Sequence, residues 1–304
     1  MLNRKAIIIA ILSLALILTY QLTDSGAVVH GVQRKTKCLF DDAHTPQYTS
    51  NTYGQITDKV AVITDNKYTP QLIPLILHFH AVLGPDWPIV FYTSQKIIHE
   101  HLSKESQKVS ATWQRAIEDK RVEMRVVPDG FNLTSRHGVN AYLSRPWLWE
   151  QLAPAQHVLV FQADSILCAN SQYKVDDFLE WDFVGAMMRP DAKLYNGGLS
   201  LRNRTMMLDI LREGHNWEVS HERSKMKSGG EDVWFSKKME QRGGHLPENI
   251  TAAQFALQYK WNFDIAARPL GYHKIHRNIP KSLADIAKWC PEIVLAAAGT
   301  LGAK

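Results

Sequence analysis

What most limits the fold of this chain is an alternation: short, almost wholly apolar runs separated by stretches of helical periodicity. The runs KVAVI (59–63), PIVFYTS (88–94), VEMRVV (122–127), HVLVF (157–161) and DFVGAMM (182–188) read as buried strands. Between them, residues 70–83 place Leu72, Leu75, Ile76, Phe79 and Leu83 at helical spacing, with Pro70 and Pro74 early, where proline is tolerated. A more polar helix is expected over 104–119 and another, entered at Pro146, over 144–152. GGLSLRN (197–203) reads as a further strand and 205–213 as a helix. Strands exchanged with helices at this spacing predict an α/β fold, a mostly parallel sheet covered by helices on both faces. A chain of 304 residues, 45% hydrophobic, has the material for that core.

The ends and the composition add a compartment. Arg4 and Lys5 precede an uncharged apolar run over 6–20, which reads as a signal anchor over 1–25, or as a cleaved signal with Ser25 and Ala27 at the cut. Residues 26–57 are polar, without period, and read as a stalk, so the folded domain is expected over 58–304. The expected address is a single-pass type II protein of the Golgi or ER membrane with its domain in the lumen, or a secreted protein if the signal is cut. Sequons at Asn132, Asn203 and Asn249 fit a glycoprotein. Cys38, Cys168 and Cys290 allow one internal disulfide, and the sequence does not choose the pair. A formal charge of +5 without a dense basic run favours an anionic small molecule over nucleic acid.

The segment HVLVFQADSILCAN (157–170) carries the first candidate site, because Asp164 lies just past a strand, where α/β sheets bind ligands. A turn or cap would account for an Asp there as well. YNGGLSLRNR (195–204) offers Asn196, Gly197 and Gly198 as a turn before a strand, or as a place where backbone approaches a bulky ligand. Gly229-Gly230-Glu231-Asp232 opens a helical run; acidic residues suit a first helical turn, and two carboxylates behind paired glycines also suit a general base at a cleft. His273 and His276 sit in a basic turn, where a neutral imidazole is a good ligand for a divalent ion.

The order of these elements resembles a GT-A glycosyltransferase, in particular a GT-A-like family whose members carry an FQ-x-D-S segment and an NGGLSLR segment. The likeness covers about residues 58–280. It implies a Rossmann-like, GT-A-like sheet, a nucleotide-sugar donor, and a glycan, glycoprotein or glycolipid acceptor. By resemblance, Asp164 and His273 would hold Mn²⁺ or Mg²⁺, and Gln162, Asp164, Ser165, Asn196, Gly197, Gly198, Arg202 and Lys274 would bind the donor. Asp232, or Glu231 if the turn faces the other way, would be the base of an inverting transfer, with Arg277 as a further phosphate contact. Gln162 departs from the family's Asp-x-Asp motif: its amide can turn to a metal or a ribose hydroxyl but does not offset cationic charge, so weaker metal binding is expected. That departure also favours the alternative of a non-catalytic nucleotide-sugar- or carbohydrate-binding relative. The sequence has no G-x-x-x-x-G-K-[ST] phosphate loop, no G-x-G-x-x-G fingerprint and no serine nucleophile elbow, which leaves nucleotidyl- or phosphoryl-transfer and hydrolase readings without a motif.

Overall fold

The computed structural model describes residues 54–106, 109–223 and 229–299, all within the compact unit Ser50–Lys304. The chain runs β1 (Lys59–Thr64), α1 (Leu72–Leu83), β2 (Ile89–Thr93), α2 (Ala111–Glu118), β3 (Val122–Val126), α3 (Arg136–Leu143), α4 (Pro146–Gln151), β4 (His157–Phe161) and β5 (Ser165–Leu167). It continues through β6 (Phe183–Arg189), β7 (Ala192–Asn203), α5 (Arg204–Arg212), α6 (Trp217–Arg223), α7 (Glu231–Gln241), α8 (Asn249–Phe255), β8 (Ala256–Leu257), β9 (Gly271–His273), α9 (Ile275–Asn278), α10 (Leu283–Ala287) and α11 (Ile293–Ala296).

Six strands form one sheet in the order β3-β2-β1-β4-β7-β6. β1 pairs in parallel with β2 and with β4, and β2 with β3, whereas β7 runs antiparallel to both neighbours. The apolar runs are continuous rather than alternating because both faces are covered: every residue of β2 is buried, as are the central four of β1. On one face α1 lays Leu72, Leu75, Ile76 and Phe79 against the strands, and Phe79 stacks on Phe161 of β4 with ring centroids 3.9 Å apart. The connection leaves β1 towards β2 and β3 on one side, then returns with β4 on the other. The carboxyl ends of β1 and β4 therefore border the crevice where the strand order reverses, the place where open α/β sheets bind ligands.

A second, three-stranded sheet, β5-β9-β8, sits just beyond that crevice. β5 leaves the Asp164 turn and pairs antiparallel with β9, placing Ser165 opposite His273. Its far end is tied to the C-terminal helical turns by a disulfide between Cys168 and Cys290 and by a 2.6 Å hydrogen bond from Asn170 Nδ2 to the Trp289 carbonyl.

Several sequence expectations change here. The polar helix expected from residue 104 begins only at Ala111, because Ser110 caps it by accepting from the Trp113 amide. α3 was not expected: Gly138, a weak helix former, lies in its first turn, where a Cβ would come within 1.6 Å of the Asn132 carbonyl. Asn203, a sequon residue, donates to Asp182 Oδ1 at 2.8 Å and caps α5 through the Met206 amide, so its amide is engaged in the fold.

The membrane reading is corrected. Among the described residues no helix is long and apolar enough to cross a membrane. Residues 1–25, on which the signal anchor rested, and all of the stalk except 54–57 lie outside the described residues. The fold class is therefore an α/β sheet with no membrane-spanning helix among the described residues, and the membrane partner, type II topology and Golgi or ER address are withdrawn.

One ion pair predicts acid sensitivity. Lys59, at the start of β1, and the Trp87 indole both bond the Asp176 carboxylate. Burial raises the Asp176 carboxyl, but these two partners outweigh it and hold it below the usual carboxylate range. A depressed folded value means the pair's stabilisation is present above about pH 4 and is lost as pH falls through the folded value. Melting temperature measured against pH should fall in acid, and Asp176→Asn should flatten that fall; an unchanged slope in the mutant contradicts the assignment.

Candidate functional site

The turn after β4 sets the first side chain. Ser165 closes it, its hydroxyl donating to the Gln162 carbonyl at 2.6 Å and accepting from the Gln162 amide at 3.1 Å. Ser165 is fully buried and shapes the turn rather than facing a cleft. Asp164 is left free of capping: its Oδ1 lies 3.2 Å from Nε2 of His273 at the end of β9. The strand pairing holds the two together, because the Lys274 amide donates to the Asp164 carbonyl at 2.9 Å. Lys274 itself sits at φ 53°, a left-handed conformation that a side-chain-bearing residue adopts at a cost of order 1–3 kcal/mol.

The state of this pair follows from its surroundings. His273 is 1% exposed, and its Nδ1 hydrogen bonds the amide oxygen of Gln258 at 2.8 Å, so Nδ1 carries the proton and Nε2 presents a lone pair. Burial pushes the imidazole down more than Asp164 raises it, which keeps the ring neutral. Burial raises the Asp164 carboxyl, but nearby positive charge, that of Lys274 included, outweighs it, so Asp164 lies below its ordinary range and is ionised. Nε2 and Oδ1 are close yet misdirected for a hydrogen bond, and Nε2 has no hydrogen-bond partner. Two lone-pair donors facing each other in a buried site repel unless something positive lies between them.

β7 supplies the wall behind this pair, and it corrects the reading of Asn196-Gly197-Gly198 as a turn. The three residues lie inside the twelve-residue strand, and neither glycine has positive φ. Their missing side chains make room for protein. A Cβ on Gly198 would fall 2.1 Å from His273 Nε2 and 2.7 Å from Gln162 Oε1; one on Gly197 would fall 2.3 Å from the Arg202 guanidinium and 3.0 Å from Glu231 Oε1. Asn196 stiffens the strand locally by accepting from the Gly198 amide at 2.8 Å.

Arg202 does not reach the cleft, and Glu231 borders the second lobe with both carboxylate oxygens already engaged. Arg202 is fully buried and donates to both Glu231 oxygens, at 3.0 and 3.2 Å, and to Ser200 at 3.0 Å, with its guanidinium over the Phe183 ring. Burial pushes the Glu231 carboxyl up against the pull of Arg202. Arg202 is thus the partner of Glu231 instead of the expected phosphate contact, and Glu231 is engaged on both oxygens. The pair fixes the first turn of α7, whose next residue, Asp232, accepts from the Gly197 amide at 3.0 Å and the Val233 amide at 2.8 Å. Asn140 of α3 steadies the same turn by accepting from the Glu231 amide at 3.1 Å.

These side chains line a cavity of two lobes. The first, about 620 Å³, lies over the carboxyl ends of β1 and β4 and includes Thr64, Asp65, Tyr142, Phe161, Asp164 and the C-terminal residues Leu295 to Ala298. The second, about 510 Å³, holds Asp232, His273, Lys274, Asn196, Gly197 and Gly198. Gln162, Val139 and Leu143 border both. His276 faces the first lobe and Arg277 the second. Sequence reasoning missed Asp65, Asn140 and Gln258. Asp65 had the same signal as Asp164, an Asp at the exit of a buried strand; Asn140 and Gln258 had none.

The donor set can be tested for a divalent ion. Among the described residues no group of three His, Cys, Asp or Glu is placed to hold a metal. What is present is one carboxylate, one hydrogen-bond-free imidazole nitrogen and the Gln162 amide oxygen beside the space left by Gly198. Oxygen donors with an imidazole fit an ion such as Mn²⁺ better than Mg²⁺, which prefers oxygen alone.

Residues 121–273 match the family described as "Protein of unknown function (DUF5672)". The chain belongs to this family. The match takes in half of the chain, from the foot of β3 to His273, and so spans the Asp164 turn, the glycines of β7 and Asp232. No curated protein matches the chain. Among solved structures it is similar to apo-form glycosyltransferase GlyE of Streptococcus pneumoniae TIGR4, at 13% identity over 74% of this chain and 56% of that one, TM-score 0.46. It is also similar to mannosyltransferase PcManGT from Pyrobaculum calidifontis, in complex with GDP-Man and Mn2+, at 13% identity over 95% and 86%, TM-score 0.39. The chain is thus remotely similar in structure to glycosyltransferases, and it spans about half the length of GlyE.

The buried pair gives the prediction of this site. Arg202→Met leaves Glu231 buried without its partner and should cost about 3–5 kcal/mol in urea unfolding. Arg202→Met combined with Glu231→Leu should recover most of that loss; a single mutant as stable as the parent contradicts the pairing.

Proposed function

We propose that this domain binds a nucleoside diphosphate sugar, with the nucleoside in the first lobe, the diphosphate at the Asp164 junction and the sugar reaching into the second. One observation carries the reading: the lobes meet at Gln162, beside an ionised carboxylate and a buried, hydrogen-bond-free imidazole nitrogen 3.2 Å apart, at the point where the strand order reverses. The first lobe pairs an apolar floor of Val62, Leu72 and Val160 with polar groups at its rim, which suits a base and ribose. Asp164 and His273, helped by Gln162, would hold Mn²⁺ or Mg²⁺. Such an ion, when bound, neutralises phosphate charge. Lys274 and Arg277 add fixed positive charge on the same turn.

Transfer is the second reading, and Asp232 favours it. It lies in the second lobe with both oxygens anchored by backbone amides, so it is held rigidly, and Glu231 is already engaged by Arg202. In that reaction Asp232 takes the proton of an acceptor hydroxyl. The hydroxyl oxygen bonds the anomeric carbon, and the bond from that carbon to the diphosphate oxygen breaks, releasing nucleoside diphosphate with inversion.

Calorimetry with UDP-glucose, UDP-galactose, UDP-N-acetylglucosamine and GDP-mannose, each with Mn²⁺, Mg²⁺ or chelator, tests both readings. One donor should bind, and Asp164→Ala should weaken it at least tenfold. If that donor is also cleaved, Asp232→Asn should slow cleavage by about 10²-fold or more while binding persists. Binding without cleavage supports the binding protein alone, and no binding by any donor ends the proposal.

A further inference from the structure

The second lobe carries more positive charge than the proposed donor accounts for. Arg136, Lys274 and Arg277 line it, and none of them makes an ion pair among the described residues. Of its two carboxylates, Glu231 is met by buried Arg202, which leaves Asp232 as the one lining carboxylate without a cation. Lys274 and Arg277 belong to the turn next to the Asp164 junction, within reach of a diphosphate. Arg136 does not. It opens α3, and Asn140, one helical turn along the same face, bonds the first residue of α7 beside Asp232. Tyr259 also lines the lobe, and its hydroxyl is shifted up by burial and by the field of Asp232, and down by that of Arg136.

We infer that the second lobe accepts a sugar bearing an anionic group, a carboxylate or a phosphate, which Arg136 pairs with while a hydroxyl of the same sugar faces Asp232. This deepens the proposed function and rests on its transfer reading, in which the acceptor shares the second lobe with the donor's sugar and meets Asp232. Arginine suits the task because its planar fork pairs bidentately with either anion. Arg136 is exposed at the rim of the lobe, so this pairing is one that salt screens and that a neutral sugar does not make.

Ligand-observed NMR titration of the full chain tests this with methyl β-glucuronide and glucose 6-phosphate against their neutral twins, methyl β-glucoside and glucose. The anionic member of at least one pair should bind tenfold or more tightly, and added salt should weaken it. Whichever pair discriminates tells carboxylate from phosphate. Arg136→Gln should erase the discrimination and Arg136→Lys should keep part of it, a contrast a merely structural role would not give. Equal binding within both pairs, or discrimination surviving in Arg136→Gln, overturns the inference. So does displacement of the anionic sugar by UDP or GDP, because the charge would then belong to the diphosphate. Failure of both nucleotides to bind while the anionic preference holds would instead count against the nucleotide-sugar reading.

Discussion

Two adjacent residues without side chains hold the site together. Gly197 and Gly198 lie side by side in β7, and the space each leaves is filled by a different half of the machinery. Gly197 admits the Arg202 guanidinium and the first turn of α7, and through them fixes Asp232. Gly198 admits His273 and the Gln162 side chain, and through them sets the junction at Asp164. A single methyl group at either position would have to displace a fully buried side chain in a close-packed interior. The distance between the two halves is therefore set by the backbone of one strand.

The electrostatics follow from that packing. Burying Arg202 and Glu231 costs desolvation energy that their attraction offsets only when the geometry is good, and here both carboxylate oxygens and the Ser200 hydroxyl complete the arginine's bonds. Such a pair is a poor source of stability but a good ruler, because neither partner can move alone. It delivers Asp232 to the lobe at the start of a helix, anchored by two amides. At the junction the opposite choice has been made: His273 is buried with Nε2 unsatisfied, a cost that makes sense where a positive ligand group or ion completes the site.

The sheet was legible because its strands are buried on both faces, so the apolar runs of β1, β2 and β4 stand out without any periodicity. Asp164 and His273, which the resemblance of the element order assigns to one site, lie 3.2 Å apart in the fold. What the chain concealed were facts of pairing across distance. Arg202 looks like any surface cation until β7 turns it inward onto Glu231, 29 residues away. Asn196-Gly197-Gly198 has the composition of a turn, and only the strand's neighbours reveal that the glycines serve packing. Asp65 follows β1 as Asp164 follows β4, but nothing local says that the two strands lie side by side. α3 hid behind Gly138, and with it Arg136 and Asn140, which the second lobe depends on.

We propose the Asp164–His273 junction as the place where a diphosphate and its counter-ion bind. The most direct measurement is the anomalous diffraction of a crystal grown with MnCl₂ and the nucleoside diphosphate of the best-binding donor. A manganese peak is expected within bonding distance of Asp164 Oδ1 and His273 Nε2, with the diphosphate beside it and the nucleoside in the lobe over β1. Nucleotide bound elsewhere, or a manganese peak that avoids both residues, would contradict it.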